Sequence, residues 1–397
     1  MTPPVDRRAF LRGAAVAGAG GALTAASAVA PAVVHTAPAP FHGVHQAGIE
    51  QAPAVGSQAV LMAFDVTVCG LAELTGLLRT LTERARWLTA GGRPSGLTPS
   101  GDNGLLGPRP PGGGLTVTVG FGASLFDERF GLAGRRPAAL TPMPVFPGDR
   151  QQSQWCHGDL GVQLVAPDLD TCVHALRALI RATDGGMRAR WRIDGFVSPP
   201  RPSGAPRNLF GFKDGIVNPA AAEFDRLIWA AGGAEPAWAS GGSYQVIRLI
   251  RMLVHSWDGL QPGKQEQILG RNRDTGAPLD GNRETDEPDY AADPEGVLTP
   301  LNAHIRLANP RTPETAHNRI LRRGFNYDRG LDETGALDQG LIFLCYQRDP
   351  RTQFEAIQRR LADEPMIDYV TTFGGGYFFV PPGVRDESDF YGRGLVA

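Results

Sequence analysis

Cysteine, histidine and unbalanced charge are all scarce in this chain, and each scarcity closes off a class of protein. The four cysteines, Cys69, Cys156, Cys172 and Cys345, are scattered through 397 residues with no CxxC pair and no zinc-ligand spacing. That excludes the common zinc and dithiol motifs and a disulfide-dense scaffold. Cys69, Cys172 and Cys345 fall in apolar strand or helix patterns and are expected as packed thiols. The 39 Lys and Arg nearly balance the 41 Asp and Glu, for a net charge of −2. No basic footprint for nucleic acid or for an anionic membrane surface follows from that balance. Bulky apolar runs long enough to span a bilayer are also missing. What is abundant is glycine (51) and proline (33), against a hydrophobic fraction of 42%. The composition is globular, with many turns and long irregular segments.

The first residues read as an address, not as structure. Asp6-Arg7-Arg8-Ala9-Phe10-Leu11-Arg12 is a twin-arginine pattern, and a weakly apolar Ala/Gly run follows over residues 14–30. Basic residues, then an apolar run, then small residues form an export signal. Ala26-Ser27-Ala28 offers a cleavage site after Ala28. No integral membrane span is expected after its removal. The twin-arginine route carries folded proteins, often with a cofactor already inserted. The expected destination is the cell envelope or the exterior. Disulfides are permitted there, but folding in a reducing cytosol argues against them.

Beyond the signal, four extended runs are each followed by a helical period. Residues 59–68 precede Leu71, Leu74, Leu78, Leu81, Ala85 and Leu88. Residues 159–166 precede a helix capped by Asp168 or Asp170, with Val173, Leu176, Leu179 and Ile180 on one face. Residues 244–254 precede a helix over 257–269, and residues 341–346 precede Phe354, Ile357, Gln358 and Leu361. Further strands are expected at 115–121, 187–197 and 376–380. The order β-α-β-β-α-β, twice, predicts an α+β fold of two ferredoxin-like halves with antiparallel sheets. The Pro-rich stretch 198–208 is the best linker. The boundaries are residues 1–50 for signal and N-terminal segment, 51–200 for the first half and 201–397 for the second. The polar, aperiodic segment 270–301 either wraps the surface or lines something bound.

Candidate chemistry rests on a few residues. Gly211-Phe212-Lys213-Asp214-Gly215-Ile216-Val217 puts an acid before a glycine and then runs into apolar residues. Ala303-His304-Ile305-Arg306-Leu307-Ala308-Asn309-Pro310-Arg311 holds one of only eight histidines. By itself His304 is more simply read as a hydrogen-bonded interior histidine. Ile320-Leu321-Arg322-Arg323-Gly324-Phe325-Asn326-Tyr327, taken alone, is a helix end with solvated arginines. His42 and His45, three apart in a coil, are thin support for a metal site. Trp257, Tyr327, Tyr346, Tyr369 and Tyr377 are candidates to relay electrons, each more simply a packing aromatic.

Together the stretches GFKDG, AHIRLANPR, ILRRGFNY and GLIFLCYQ resemble the dye-decolourising peroxidase family, in its exported twin-arginine branch. Residues 41–49, Phe-His-Gly-Val-His-Gln-Ala-Gly-Ile, look like that branch's N-terminal segment, so the resemblance covers nearly all of the mature chain. It implies one haem b per chain, bound mainly in the C-terminal half. His304 would be the proximal iron ligand, and Asp214 would stand on the distal face with Arg322 beside it. Gly215, Ile216, Val217, Asn309, Pro310 and Arg311 would run along the haem. Leu341 and Phe343 would form the dry distal wall, alternating on one strand face with Cys345. Arg323 is the lesser candidate for the distal cation.

The residue types suit peroxide chemistry. Neutral imidazole is a strong haem ligand, a carboxylate can move a proton between peroxide oxygens, and a guanidinium stays charged beside it. The implied partners are hydrogen peroxide and an aromatic reductant: a bulky phenol, an aromatic amine or a dye, oxidised in one-electron steps through a ferryl intermediate. One departure from the family pattern is Gly324, where a small hydroxyl or amide residue is expected to reach into the distal pocket. The branch also resembles components of ferrous-iron uptake systems, so haem handling with incidental peroxidase activity is the alternative, with iron-uptake partners outside the cytoplasm. A haem-free binding module is the third reading, and the His-Asp-Arg set argues against it.

Overall fold

The computed structural model describes residues 40–91, 103–107, 114–233 and 235–397. The twin-arginine stretch, its cleavage site and His35 lie outside the described residues. The first half runs β1 (Gln58–Val66), α1 (Gly70–Thr89), β2 (Thr116–Gly122), β3 (Leu160–Ala166), α2 (Leu169–Ala182) and β4 (Met187–Phe196). The second opens with α3 (Phe224–Leu227), β5 (Ser243–Met252), α4 (Val254–Asp258), α5 (Pro262–Leu269) and α6 (His304–Ala308). It continues with β6 (Leu321–Arg322), β7 (Phe325–Leu331), β8 (Leu337–Gln347), α7 (Phe354–Arg360), β9 (Val370–Val380) and α8 (Arg393–Val396).

These elements make an α+β architecture. The strands are hydrogen-bonded in the order β5-β9-β2-β3-β1-β4-β7-β8-β6, and β5 also pairs with β8, so the ladder returns on itself. Within it the first half contributes β2-β3-β1-β4 and the second β9-β5-β8-β7. The joins between them are short: Phe121↔Phe379 and Gly122↔Phe378 at one edge, Phe196↔Asn326 at the other.

Side-chain alternation decides what each sheet face covers. On β1, Val60, Met62 and Phe64 face α1 and α2, where they meet Leu74, Leu78, Leu81, Ala175 and Leu179. Ala59, Leu61 and Ala63 point the other way, into a core shared with Ile247, Leu249, Ile342 and Leu344 of the second half. Helix α2 starts where Asp168 accepts from the Thr171 N–H at 2.7 Å. Helix α1 lacks such a cap, and the Glu73 carboxylate instead accepts from the Cys69 N–H at 2.9 Å. The remaining face of the second sheet carries Arg248, Ile250, Met252, Leu341 and Phe343, and it lines a cavity.

Several expectations are corrected. Cys69 is exposed, because it lies at the N-terminus of α1 and not inside a packed face; Cys156, Cys172 and Cys345 are buried, and all four thiols are free. On α2 the buried stripe is Cys172, Ala175, Leu176 and Leu179; Ile180 is exposed and Val173 half-buried, so the face is turned from the predicted one. The helix expected over 257–269 is two, broken where Pro262 begins α5. The segment 321–327 is not a helix end but β6 and the start of β7. Strand β9 begins ten residues before the expected run ends, at Val370, through Gly374-Gly375-Gly376. Those glycines have a packing reason. A Cβ at Gly374 would sit 2.5 Å from the Trp155 carbonyl oxygen, and one at Gly375 2.0 Å from that of Ile247. The bare backbone lets the loop ending at Cys156 bridge directly to β9.

Candidate active site

The loop carrying Asp214 is fixed before any ligand is considered. Its amide donates to the Pro206 carbonyl at 2.8 Å. Lys213, nearly buried, pairs with Glu284, whose carboxylate also takes the Ala205 N–H. Gly215 adopts φ of +79°, a conformation that a side chain would strain. Oδ1 of Asp214 then accepts two bonds, from the Gly215 N–H at 2.6 Å and from Nη1 of Arg322 at 3.0 Å. Asn218, four residues on, locks the pair together. Its Oδ1 accepts from the Arg322 N–H at 2.8 Å, and its amide nitrogen donates to the Gly215 carbonyl at 3.3 Å.

His304 opens α6, a single turn held from both ends. Gly270 lets α5 end against it: a Cβ there would lie 2.6 Å from Ile305. Arg360 of α7 donates to the Leu307 and Ala308 carbonyls at the other end. Nδ1 of His304 donates to Oε2 of Glu364 at 2.7 Å, a carboxylate that is itself buried. Burial alone lowers the imidazole pKa. The charge of Glu364 and the bond to it outweigh that, and the His304 pKa is raised above its ordinary value. The charges of Arg322 and Asp214 also act on this ring.

Asp214, Arg322 and His304 line one cavity, whose lining residues all fall between Asn208 and Thr372. Its walls are mostly apolar, with Ile216, Val217, Leu341, Phe343, Ile357 and Met366 among them. One corner is cationic. Arg271 is buried and, among the described residues, donates from its side chain to the carbonyls of Gly276 and Glu284; burial lowers its pKa, with Arg322 and Arg311 adding to the effect. Arg311 holds a left-handed φ of +60° and pairs with the exposed Glu287. The Tyr290 hydroxyl lies there buried with no hydrogen-bond partner among the described residues. Burial raises its pKa to about 12. A largely apolar cavity with an imidazole nitrogen, a buried hydroxyl in want of an acceptor and adjacent arginines fits a haem: its macrocycle, its iron and its carboxylates.

The predicted set is largely brought together. Asp214, Ile216, Val217, His304, Asn309, Arg311, Arg322, Leu341 and Phe343 all line this cavity. Gly215 lies instead on a neighbouring cavity that shares Asp214, Asn218, Arg322, Leu341 and Phe343. Pro310 lies between two wall residues and is not part of the wall. Gly324 is in the neighbouring cavity too, and a Cβ there would meet only the Ile342 carbonyl oxygen, at 3.2 Å, and Leu341. Arg323 turns away: it is buried and donates to the carbonyls of Ile49, Glu50 and Arg322. His42 accepts from Arg86 Nε at 3.1 Å, whereas His45 stacks on Trp229 at 3.5 Å and pairs with the Gly241 carbonyl. Trp257, Tyr327, Tyr346 and Tyr377 are buried packing residues.

Sequence reasoning missed Glu364, Asn218, Arg271 and Tyr290. Glu364 sits in an irregular Asp-Glu-Pro stretch, Arg271 and Tyr290 in the aperiodic segment after α5. Part of that segment is held by its own hydrogen bonds, and part of it reaches the cavity. Asp293 gathers the N–H groups of Val297, Leu298 and Thr299, Arg306 ties Asp293 to α6, and Arg271 and Tyr290 reach the cavity. The only signal in the sequence was its length without periodicity.

Residues 46–197 match the family model described as Dyp-type peroxidase, N-terminal, and residues 205–385 the one described as Dyp-type peroxidase, C-terminal. The deferrochelatase of Yersinia pestis is 44% identical over 416 residues, covering 99% of this chain and 95% of that protein. That of Escherichia coli is 45% identical over 371 residues, covering 90% and 87%. Among solved structures, an oxyferrous/water mixed complex of DtpA from Streptomyces lividans aligns with a TM-score of 0.82 at 38% identity, over 91% of this chain and 98% of that one. A DyP-type peroxidase from Streptomyces coelicolor gives 0.82 at 38%, over 91% and 97%.

Proposed function

Because the chain belongs to the Dyp-type peroxidase family, we propose that His304 is the protein ligand to its haem iron and that Asp214 and Arg322 work on the opposite, peroxide-binding face. The chain is a haem peroxidase. The observation that carries the assignment is the convergence of these three side chains on one apolar cavity. When bound, haem supplies an iron with one position open to hydrogen peroxide and the capacity to withdraw single electrons from a reductant.

The protein's own groups divide the remaining work. With Nδ1 committed to Glu364, His304 presents Nε2 to the metal, and the carboxylate strengthens it as a donor. Both hydrogen bonds to Asp214 fall on Oδ1. Oδ2 is therefore the atom that takes a proton from one peroxide oxygen and delivers it to the other. Arg322, held by Asn218, stabilises negative charge on those oxygens. Arg271, Arg311 and the Tyr290 hydroxyl would hold the haem carboxylates. Ile216, Val217, Leu341 and Phe343 would keep water out, and Asn309 would border the bound group, whereas Gly215 and Pro310 lie off this wall. Asp214→Asn and Arg322→Leu are expected to slow the peroxide step by about 10²–10⁴-fold, read by stopped-flow absorbance, with haem content kept. Rates within a few-fold of the wild type in both variants would refute these roles.

We read residues 51–200 and 201–397 as two ferredoxin-like halves; with the two-residue β6 set aside, the strand orders β4-β1-β3-β2 and β9-β5-β8-β7 support this, each running fourth, first, third, second. Export by the twin-arginine route, and oxidation of bulky phenols, aromatic amines or dyes, complete the reading. The deferrochelatase name of relatives at 44–45% identity favours a second one, in which iron is released from haem. Stoichiometric accumulation of iron-free protoporphyrin without peroxide would support that reading over the first.

A further inference from the structure

Arg322 is placed by its backbone more than by its side chain. Among the described residues its guanidinium has one partner, the Asp214 carboxylate beside which it works. The strand that carries it, β6, has two residues, pairs with β8 through Leu321 and Arg322, and gives way to the exposed Gly324. Side chains hold that backbone instead. The Arg322 N–H donates to Oδ1 of Asn218, and the Arg322 carbonyl accepts from Nδ2 of Asn218 at 3.5 Å and from Nη1 of Arg323 at 3.1 Å.

Arg323 is an unusual residue for that last bond. It is buried, and among the described residues no carboxylate pairs with it. Burial lowers its pKa. A guanidinium taken out of water without an anion is unfavourable unless its donors are fully used. They are used here as a fork: Nε donates to the Ile49 carbonyl at 3.0 Å, Nη2 to that of Glu50 and Nη1 to that of Arg322. A planar side chain with donors on three nitrogens can span two chain segments in this way, and an ammonium cannot.

The second segment is a strap from the first half. Gln46 exchanges two bonds with the backbone of Val119 on β2, at 2.8 and 3.0 Å, and donates to the Pro381 carbonyl beyond β9. The Ala47 carbonyl accepts from the Thr118 hydroxyl at 2.7 Å. Gly48 has φ of +89°, and a Cβ there would lie 2.6 Å from Oγ1 of Thr118, so the strap lies close against β2. Ile49 is buried in the core that the halves share.

We propose that Arg323 is a positioning residue for the peroxide step: it fastens the backbone of Arg322 to the 46–50 strap, and through the strap to β2, so that the distal guanidinium is held where negative charge develops. The inference rests on the haem placement proposed above. The Arg323 N–H bond to the Leu344 carbonyl does not involve the side chain, so β6 keeps that link to β8 when the fork is removed.

The test is a fluoride titration of the ferric holoprotein, read by absorbance, for the wild type, Arg322→Leu, Arg323→Met and the double variant. A small anion at the open iron position takes a charge-assisted hydrogen bond from a correctly placed guanidinium. Arg323→Met is expected to weaken fluoride binding about tenfold or more. In the double variant it should add nothing to the loss caused by Arg322→Leu, because it acts through that residue. Wild-type affinity in Arg323→Met, or losses that multiply in the double variant, overturns the proposal. Arg323→Lys keeps the charge but not the fork. It too should lose affinity, and wild-type affinity there would show that charge, not position, is what Arg323 supplies. Should Arg323→Met fail to fold, Arg323→Lys and its double with Arg322→Leu complete the same cycle. Hydrogen exchange read by mass spectrometry on haem-free protein gives an independent measure. Peptides covering 45–52 and 321–326 should exchange at least about tenfold faster in Arg323→Met, and unchanged exchange overturns the anchoring. Faster exchange in a protein that takes up no haem would instead overturn the haem placement, and leave Arg323 as the anchor of the strap.

Discussion

At the scale of single residues, the proposed iron ligand His304 depends on Glu364. The folded protein raises the His304 pKa, despite burial, through the Glu364 carboxylate. A histidine whose folded pKa is raised contributes stability that is fully present below the unfolded value of about 6.5 and is lost as pH rises through the folded value. Haem-free protein should therefore show a lower urea midpoint at about pH 8 than at about pH 5 from this pair. Glu364→Gln should flatten that difference, and in the holoprotein it should raise the iron reduction potential by removing the anionic partner. An unchanged pH slope together with an unchanged potential would show that the carboxylate does not tune the ring. Arg323 makes the contrasting case. Sequence placed it beside Arg322 as a lesser alternative, and its three carbonyl acceptors make it an anchor between β6 and residues 49–50.

At the scale of elements, the periodic segments were legible and the irregular ones were not. Strand β1 and helix α1 follow directly from an apolar run and a helical repeat, and Asp168 announced α2 as a cap. The errors have physical causes. Gly374-Gly375-Gly376 hid the start of β9, because glycine there serves close backbone approach and gives no β signal. The arginines after Leu321 hid β6 and β7, because one is paired with Asp214 and the other with carbonyls, so neither is a solvated surface charge. His304, Asp214 and Arg322 were found through the family resemblance. Glu364, Tyr290 and Arg271 lie in segments where no period constrains a side chain's direction.

The same elements set thiol reactivity. Burial raises the Cys172 pKa to about 12 and also raises those of Cys156 and Cys345, whereas Cys69 is exposed at the start of α1. Since the thiolate is the nucleophile, native protein near neutral pH should react with a chromogenic disulfide at Cys69 alone, and denatured protein at all four cysteines. Rapid native labelling of a second cysteine would show that one of these faces opens.

For the whole molecule, neither half is complete alone. Ile247, Leu249, Ile342 and Leu344 of the second sheet share a core with Leu61, Val165 and Ile193 of the first. The first half also sends Asp149 to bind Arg248, a lining residue of the cavity that holds His304 and Asp214. The cavity proposed for haem therefore sits on one face of a sheet whose other face packs against the first half. The residues proposed for catalysis, all within 208–372, thus rest on a sheet that the remainder of the chain supports. The central claim is that His304 holds haem in this cavity. The most direct measurement is the Soret absorbance of purified wild-type protein and of His304→Ala, each titrated with haem. The account predicts one haem per wild-type chain with the spectrum of a histidine ligand, and loss of that ligand field with strongly weakened haem retention in the variant. A variant that keeps wild-type haem affinity and an unchanged Soret band would contradict it.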